Sequence, residues 1–191
     1  MKQVLSFPRS LFVAAVLMVL GQAALVHATV VVALSRAELT QRSARVVRAT
    51  VGAQRSMWNE DHSQIITLTT LQVRETWRGA PATSLTLRQF GGEVDGIASA
   101  IPGDAHLSPG QDVVLFLRER NGAVFLTSLA QSAYLVDSSH GTPTVARDLS
   151  ELSFATRNAN QVLQLAEAAS DANETLSHLR ADVIRISGGA R

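Results

Sequence analysis

The run Val113 to Leu117 (VVLFL) contains no polar side chain, and Asn121-Gly122 follows it before a second apolar stretch opens at Val124. Such a run is too short for a buried helix, and its β-branched and aromatic residues favour a strand. With apolar side chains on both faces, that strand needs cover on both. Asn-Gly between two such runs is the strongest short signal for a tight hairpin. These residues therefore demand an antiparallel pair inside a core. Val124 to Leu129 is the returning strand, and Tyr134 to Val136 continues it or adds another.

The same reading extends upstream. Ile65 to Trp77 is a long strand with Ile65, Thr67, Thr69, Leu71 and Val73 on one face, alternating with Ile66, Leu68, Thr70, Gln72 and Arg74 on the other. Arg45 to Val51 reads as a strand, as does Thr83 to Phe90, where Leu85 and Leu87 point inward. Arg78 to Pro81, Pro102-Gly103 and Pro109-Gly110 are turns. Ser35 and Glu38 form a capping box that starts a short helix from Arg36 to about Ser43. Gly52 to His62 and Gly91 to Gly110 read as polar connections, the second holding a tight hairpin and a short edge strand, Ile97 to Ile101. After Asp137 the pattern changes. A loop spans Ser138 to Pro143, and a turn of helix is expected at Asp148 to Leu152. Helices are expected over Asn160–Ala169 and Glu174–Ile186, the latter with Leu176, Leu179, Val183 and Ile184 on one face.

The N-terminus has a separate logic. Lys2 and Arg9 precede the apolar run Leu11 to Leu20, Gly21-Gln22 break it, and Val26-His27-Ala28 supplies small residues around a cut. This is the layout of a secretory signal peptide. The alternative is an uncleaved anchor, since Leu11 to Leu34 is mostly apolar and a bilayer takes about 20 residues. Cleavage after Ala28 predicts that sequencing of the exported protein starts at Thr29; an intact Met1 or Lys2 in membrane fractions would sink it. The expected location is secreted or periplasmic. Lys2 is the only lysine, an arginine bias that points to a GC-rich bacterial source.

Removing 28 of the 191 residues leaves 163, enough for one core-stabilised domain. The leader holds two of the 17 basic residues and none of the 16 acidic ones, so the remainder carries a net charge near −1. No basic cluster invites nucleic acid. With no cysteine, neither a disulfide framework nor a lipid-modified cysteine is available. Short strands at close spacing predict a mainly β fold, a small OB-like antiparallel barrel over 29–137 with an early short helix. A loop and C-terminal helices make up 138–191.

The stretch from Glu38 to Leu117 resembles an uncharacterised family of exported bacterial proteins. The shared pattern is Leu39 on a helix, Val46-Val47 on a strand, Trp58 in a loop and a long strand ending Val73-Arg74-Glu75-Thr76-Trp77-Arg78-Gly79. Gly91-Gly92 and Pro109 to Leu117 complete it. The resemblance implies an OB-type, netrin-like barrel and is silent on chemistry. Metalloprotease inhibitors on such barrels act through an N-terminal cysteine, which this chain lacks.

No motif assigns a reaction, a cofactor or a metal. Glu60, Asp61 and His62 are adjacent on a loop, which rarely converges on one ion. Asp104, His106 and Ser108 supply the residue types of a nucleophilic triad, but alternation sets them along one side of an extended segment rather than base between acid and nucleophile. Gly91 to Gly96 lacks the lysine of a phosphate loop and the spacing of a calcium loop. Asn173-Glu174-Thr175 is a glycosylation sequon only in a eukaryotic secretory route. What remains is a non-enzymatic binding or structural module whose partner surface includes Trp58, Glu60, His62, Glu93, Asp95 and His106. Its partner is unknown, another exported protein being one expectation, and a membrane is involved only if the leader is uncleaved. The alternatives are an inhibitor or accessory factor of a secreted protease, and a secreted hydrolase.

Overall fold

The computed structural model describes residues 29–139, 141–158, 160, 162–167 and 174–188. The predicted leader, its cleavage point and Asn173 of the sequon lie outside the described residues. The chain is mainly β. In order it forms β1 (Thr29–Val32), α1 (Arg36–Arg42), β2 (Arg45–Trp58), β3 (Ile65–Arg78), β4 (Ser84–Phe90), β5 (Gly92–Val94), β6 (Ile97–Ser99), β7 (Asp112–Arg120) and β8 (Ala123–Leu126). A 3₁₀ turn (Leu129–Ser132), β9 (Ala133–Asp137), β10 (Thr144–Ala146), β11 (Leu152–Arg157), β12 (Leu163–Ala166) and α2 (Leu176–Gly188) follow.

The main sheet runs β10-β9-β7-β2-β3-β4-β8, and β7 also pairs with β8. The pairings thus pass around a ring, β7-β2-β3-β4-β8 and back to β7, in the order of a small OB-like barrel. Its weakest joint is β4–β8, a parallel contact of one residue pair, Leu87 with Val124. The expected hairpin is present: Arg120 faces Ala123 across Asn121-Gly122, both at positive φ, as a type I′ turn requires. The capping box is present too, with Ser35 accepting from the Glu38 amide and Glu38 accepting from the Ser35 amide.

The VVLFL strand is buried on both faces because two cores flank it. Val113, Leu115 and Leu117 point into the ring, where Val47, Ala49, Val51, Leu71 and Leu87 meet them. Val114 and Phe116 point outward, into a layer closed by Leu39 of α1, Tyr134 of β9 and Leu176, Leu179 and Val183 of α2. Ion pairs fasten α2 there: Arg36 bridges Glu174 (3.1 Å) and Asp182 (2.7 Å), and Arg180 donates to Glu75 (3.0 Å). Ile184, expected on the same face, is exposed, since α2 meets the sheet along a stripe narrower than four residues would fill.

Three expectations fail for local reasons. Gly52 does not end the second strand. The register passes from Val51↔Leu71 to Gln54↔Thr69, so Gly52 and Ala53 form a bulge opposite Thr70 and β2 continues to Trp58. The described part of Asn160–Ala169 is not helical. β12 lies there, with Leu163 and Leu165 on one face at period two, and it pairs with β11. At Asp148–Leu152 the expected helix shrinks to one hydrogen-bonded turn, Leu152 N donating to Leu149 O (3.0 Å), that leads into β11, which pairs in parallel with β1. The resulting sheet, β1-β11-β12, packs Val31 and Phe154 inward and leaves Val30, Val32 and Leu163 exposed, with Leu165 at 83%. Among the described residues no helix is long and apolar enough to cross a membrane.

Candidate binding groove at the barrel mouth

Facing pairs along β2 and β3 show how the barrel interior changes character. Val51–Leu71 is apolar, Gln54–Thr69 and Ser56–Thr67 are polar, and Trp58–Ile65 ends the row. The polar rungs are joined by hydrogen bonds: Gln54 Nε2 donates to Thr69 Oγ1 (3.2 Å), and the Ser56 and Thr67 hydroxyls lie 3.0 Å apart. Over this end run two segments of the long connection between β4 and β7. The first is β5, whose Gly92 presses on Ser56 and Thr67 while Thr67 Oγ1 donates to Gly91 O (2.7 Å). The second is a strap, Asp104 to Ser108, pinned by two glutamines. Gln54 Nε2 donates to Leu107 O (3.0 Å), and Gln89 Nε2 donates to Ala105 O (2.9 Å) and Asp104 Oδ2 (3.2 Å). Leu107 drops into the ring core.

Two adjoining cavities result. The inner one, about 370 Å³, is lined by Gln54, Thr67, Gln89, Asp104 and His106 among others. The outer one, about 360 Å³, is lined by Trp58, Ile65, Ile97 and others. Phe90, Gly91, Ser99 and Ile101 border both, so they form one groove. Both are within the size range of ligand sites.

Asp104 is the titratable group of interest. Burial raises its pKa, and the Ala105 amide, the Gln89 amide and His106 only partly offset that. Its two hydrogen bonds come from Ala105 N (2.9 Å) and Gln89. The other well-shielded acids differ. Glu75 accepts from Trp77, Arg48 and Arg180, and although burial pushes its pKa up, those donors hold it below the usual range. Asp112 takes Arg48 (2.7 Å), and Asp182 takes Arg36. Among the described residues no arginine pairs with Asp104.

The predicted surface residues divide. Trp58 lines the outer cavity, half-buried, with His62 stacked 6.3 Å from it. His62 sits at a left-handed φ of 54° in the turn between β2 and β3, where Asn59 and Asp61 accept hydrogen bonds from Ser63. His106 lines the inner cavity, 3.8 Å from Glu151. Glu60 is at the loop tip, Glu93 on β5, and Asp95 in the type I′ turn Asp95-Gly96, all exposed and away from the cavity linings. Asp104, His106 and Ser108 do line one cavity, yet among the described residues no hydrogen bond joins them; the Ser108 amide is held by Gln111 (2.7 Å). Among the described residues no three acidic or histidine side chains are grouped to hold a metal.

The contributors that sequence reasoning missed are Gln54, Gln89, Phe90, Ile97 and Ile101. Alternation on β3 sets Thr67 and Ile65 on one face, but Gln54 joins their row only through the Gly52 bulge. The chain matches no family model, and no curated protein or solved structure matches it.

Proposed function

We propose that the protein is an exported binding module, and that the groove at the barrel mouth is where it holds its partner. The export half rests on the leader. The binding half rests on one observation: Phe90 (42%), Ile97 (53%) and Ile101 (40%) are large apolar side chains exposed together along a cavity that Trp58 also lines. Contiguous apolar surface rimmed by polar groups marks an interaction site, and a half-buried tryptophan in a groove is the usual energetic anchor. Asp104, His106 and Ser108 line the inner part of the same groove, but among the described residues no hydrogen bond joins them.

The test uses Trp58→Ala. Immobilised wild-type protein retains a partner from the extracellular fraction of its own source. The substitution weakens that complex by about 2 kcal/mol, roughly thirtyfold, while unfolding stays cooperative. A partner held equally well by the variant would remove the groove from consideration.

A further inference from the structure

Resting on that reading, we propose that the groove takes an extended segment of a partner polypeptide in which a basic side chain, placed against Asp104, neighbours a large apolar side chain seated beside Trp58 and Ile97.

The first argument is the balance of donors and acceptors. The amide nitrogens of Gln54 and Gln89 are spent on the strap and on Thr69. Among the described residues neither amide oxygen receives a hydrogen bond, and both side chains line the inner cavity. With the Asp104 carboxylate they make a wall of acceptors. Such a wall is complementary to a group that only donates, and arginine and lysine are the side chains of that kind.

Charge points the same way. Glu75, Asp112, Glu174 and Asp182 are each met by an arginine of this chain. Asp104 is partly buried, is influenced among the described residues by one charged neighbour, His106, and is left to two neutral donors. A carboxylate taken out of water without a cation is costly to keep. An incoming guanidinium or ammonium replaces the missing countercharge, and its charge-assisted bond is about twice as strong as a neutral one.

Backbone geometry favours a polypeptide over a small amine. β6 lines the outer cavity and pairs only with β5, so among the described residues its second edge has no strand beside it. Ile97, Ala98 and Ser99 are all exposed. An open edge next to side-chain pockets is the arrangement by which extended peptides add as a strand, backbone for affinity and pockets for selectivity.

The experiment titrates the purified protein with three blocked probes while following backbone amide resonances. They are acetyl-Trp-Arg-amide, acetyl-Trp-Gln-amide and benzylamine. Acetyl-Trp-Arg-amide shifts Gln54, Gln89, the strap and β6, and half-saturates at a concentration at least tenfold below that of the glutamine probe. Asp104→Asn abolishes that tenfold preference. Asp104→Asn turns one of the two oxygens that accept from Ala105 N and Gln89 Nε2 into a donor, so its chemical unfolding is measured beside wild type; cooperative unfolding of the variant separates lost selectivity from lost fold. Trp58→Ala weakens both peptides alike. Equal affinity for the arginine and glutamine probes overturns the cation pocket while leaving the groove as the site. Benzylamine binding as tightly as the arginine peptide overturns the polypeptide assignment. No shift at the groove with any probe overturns both this inference and the groove itself.

Discussion

Replacing Gly92 with valine destabilises the protein by roughly 2–6 kcal/mol, the sum of about 1–3 for a backbone conformation that only glycine adopts readily and about 1–3 for forced repacking. Gly92 has a φ of 129°, and a Cβ there would lie against Ser56 Oγ and 2.5 Å from Thr67 Oγ1. Those hydroxyls hold the polar rung of the barrel mouth, so the substitution also lifts β5 away from the groove. Gly96→Val is the matched control. Its φ is 76°, and a Cβ there would meet no atom within 4 Å. It costs only the left-handed backbone term, about 1–2 kcal/mol. Chemical denaturation of the two variants separates strain from crowding; equal losses would show that Gly92 is not a packing glycine.

Phe116→Ala lowers stability by about 3–5 kcal/mol, the range for deleting a buried aromatic side chain. Phe116 is fully buried, 5.8 Å from the ring of Tyr134, in the cluster that receives Leu179 and Val183. Residues beneath α2 lose their packing first, so amide exchange within Leu176–Gly188 accelerates more than exchange in β3. A loss under about 1 kcal/mol, below the range for such deletions, would mean that the α2 layer contributes little. The contrast matters for the groove, which is built on the opposite side of the sheet, and Phe116→Ala is expected to leave its selectivity intact in the folded fraction.

Local chemistry makes most of the framework legible. Asn121-Gly122, the Ser35–Glu38 box and the alternation of Ile65 to Val73 each name a structure through a mechanism confined to a few residues. Where the outcome depends on distant partners, the sequence misleads. Gly52 looks like a terminator and is a bulge, because only β3 across the gap shows that pairing resumes at Gln54. Leu163 and Leu165 suit a strand or a helix until β11 supplies a neighbour. The groove is half legible. Trp58 and His106 stand out by residue type, whereas Gln54 and Gln89 acquire meaning only from the carbonyls they pin. Asp104 stands out in the sequence as part of a triad, whereas among the described residues it is a partly buried acid with no arginine paired to it.

The parallel pairing of β1 with β11 sets an order in time. β1 is made first among the described strands, and its neighbour β11 follows about 120 residues later, from Val32 to Leu152. At about 5–20 residues per second, the stretch from Val32 to Leu152 keeps β1 waiting for roughly 6–24 seconds with Val31 uncovered and no strand beside it. Such distant closure is slow to form and prone to stray pairing. The barrel can close from β2 to β8 during that wait, leaving β1 to lock only once β11 has been made. The sheet β1-β11-β12 therefore cannot form until β11 has been made, however early the barrel strands pair.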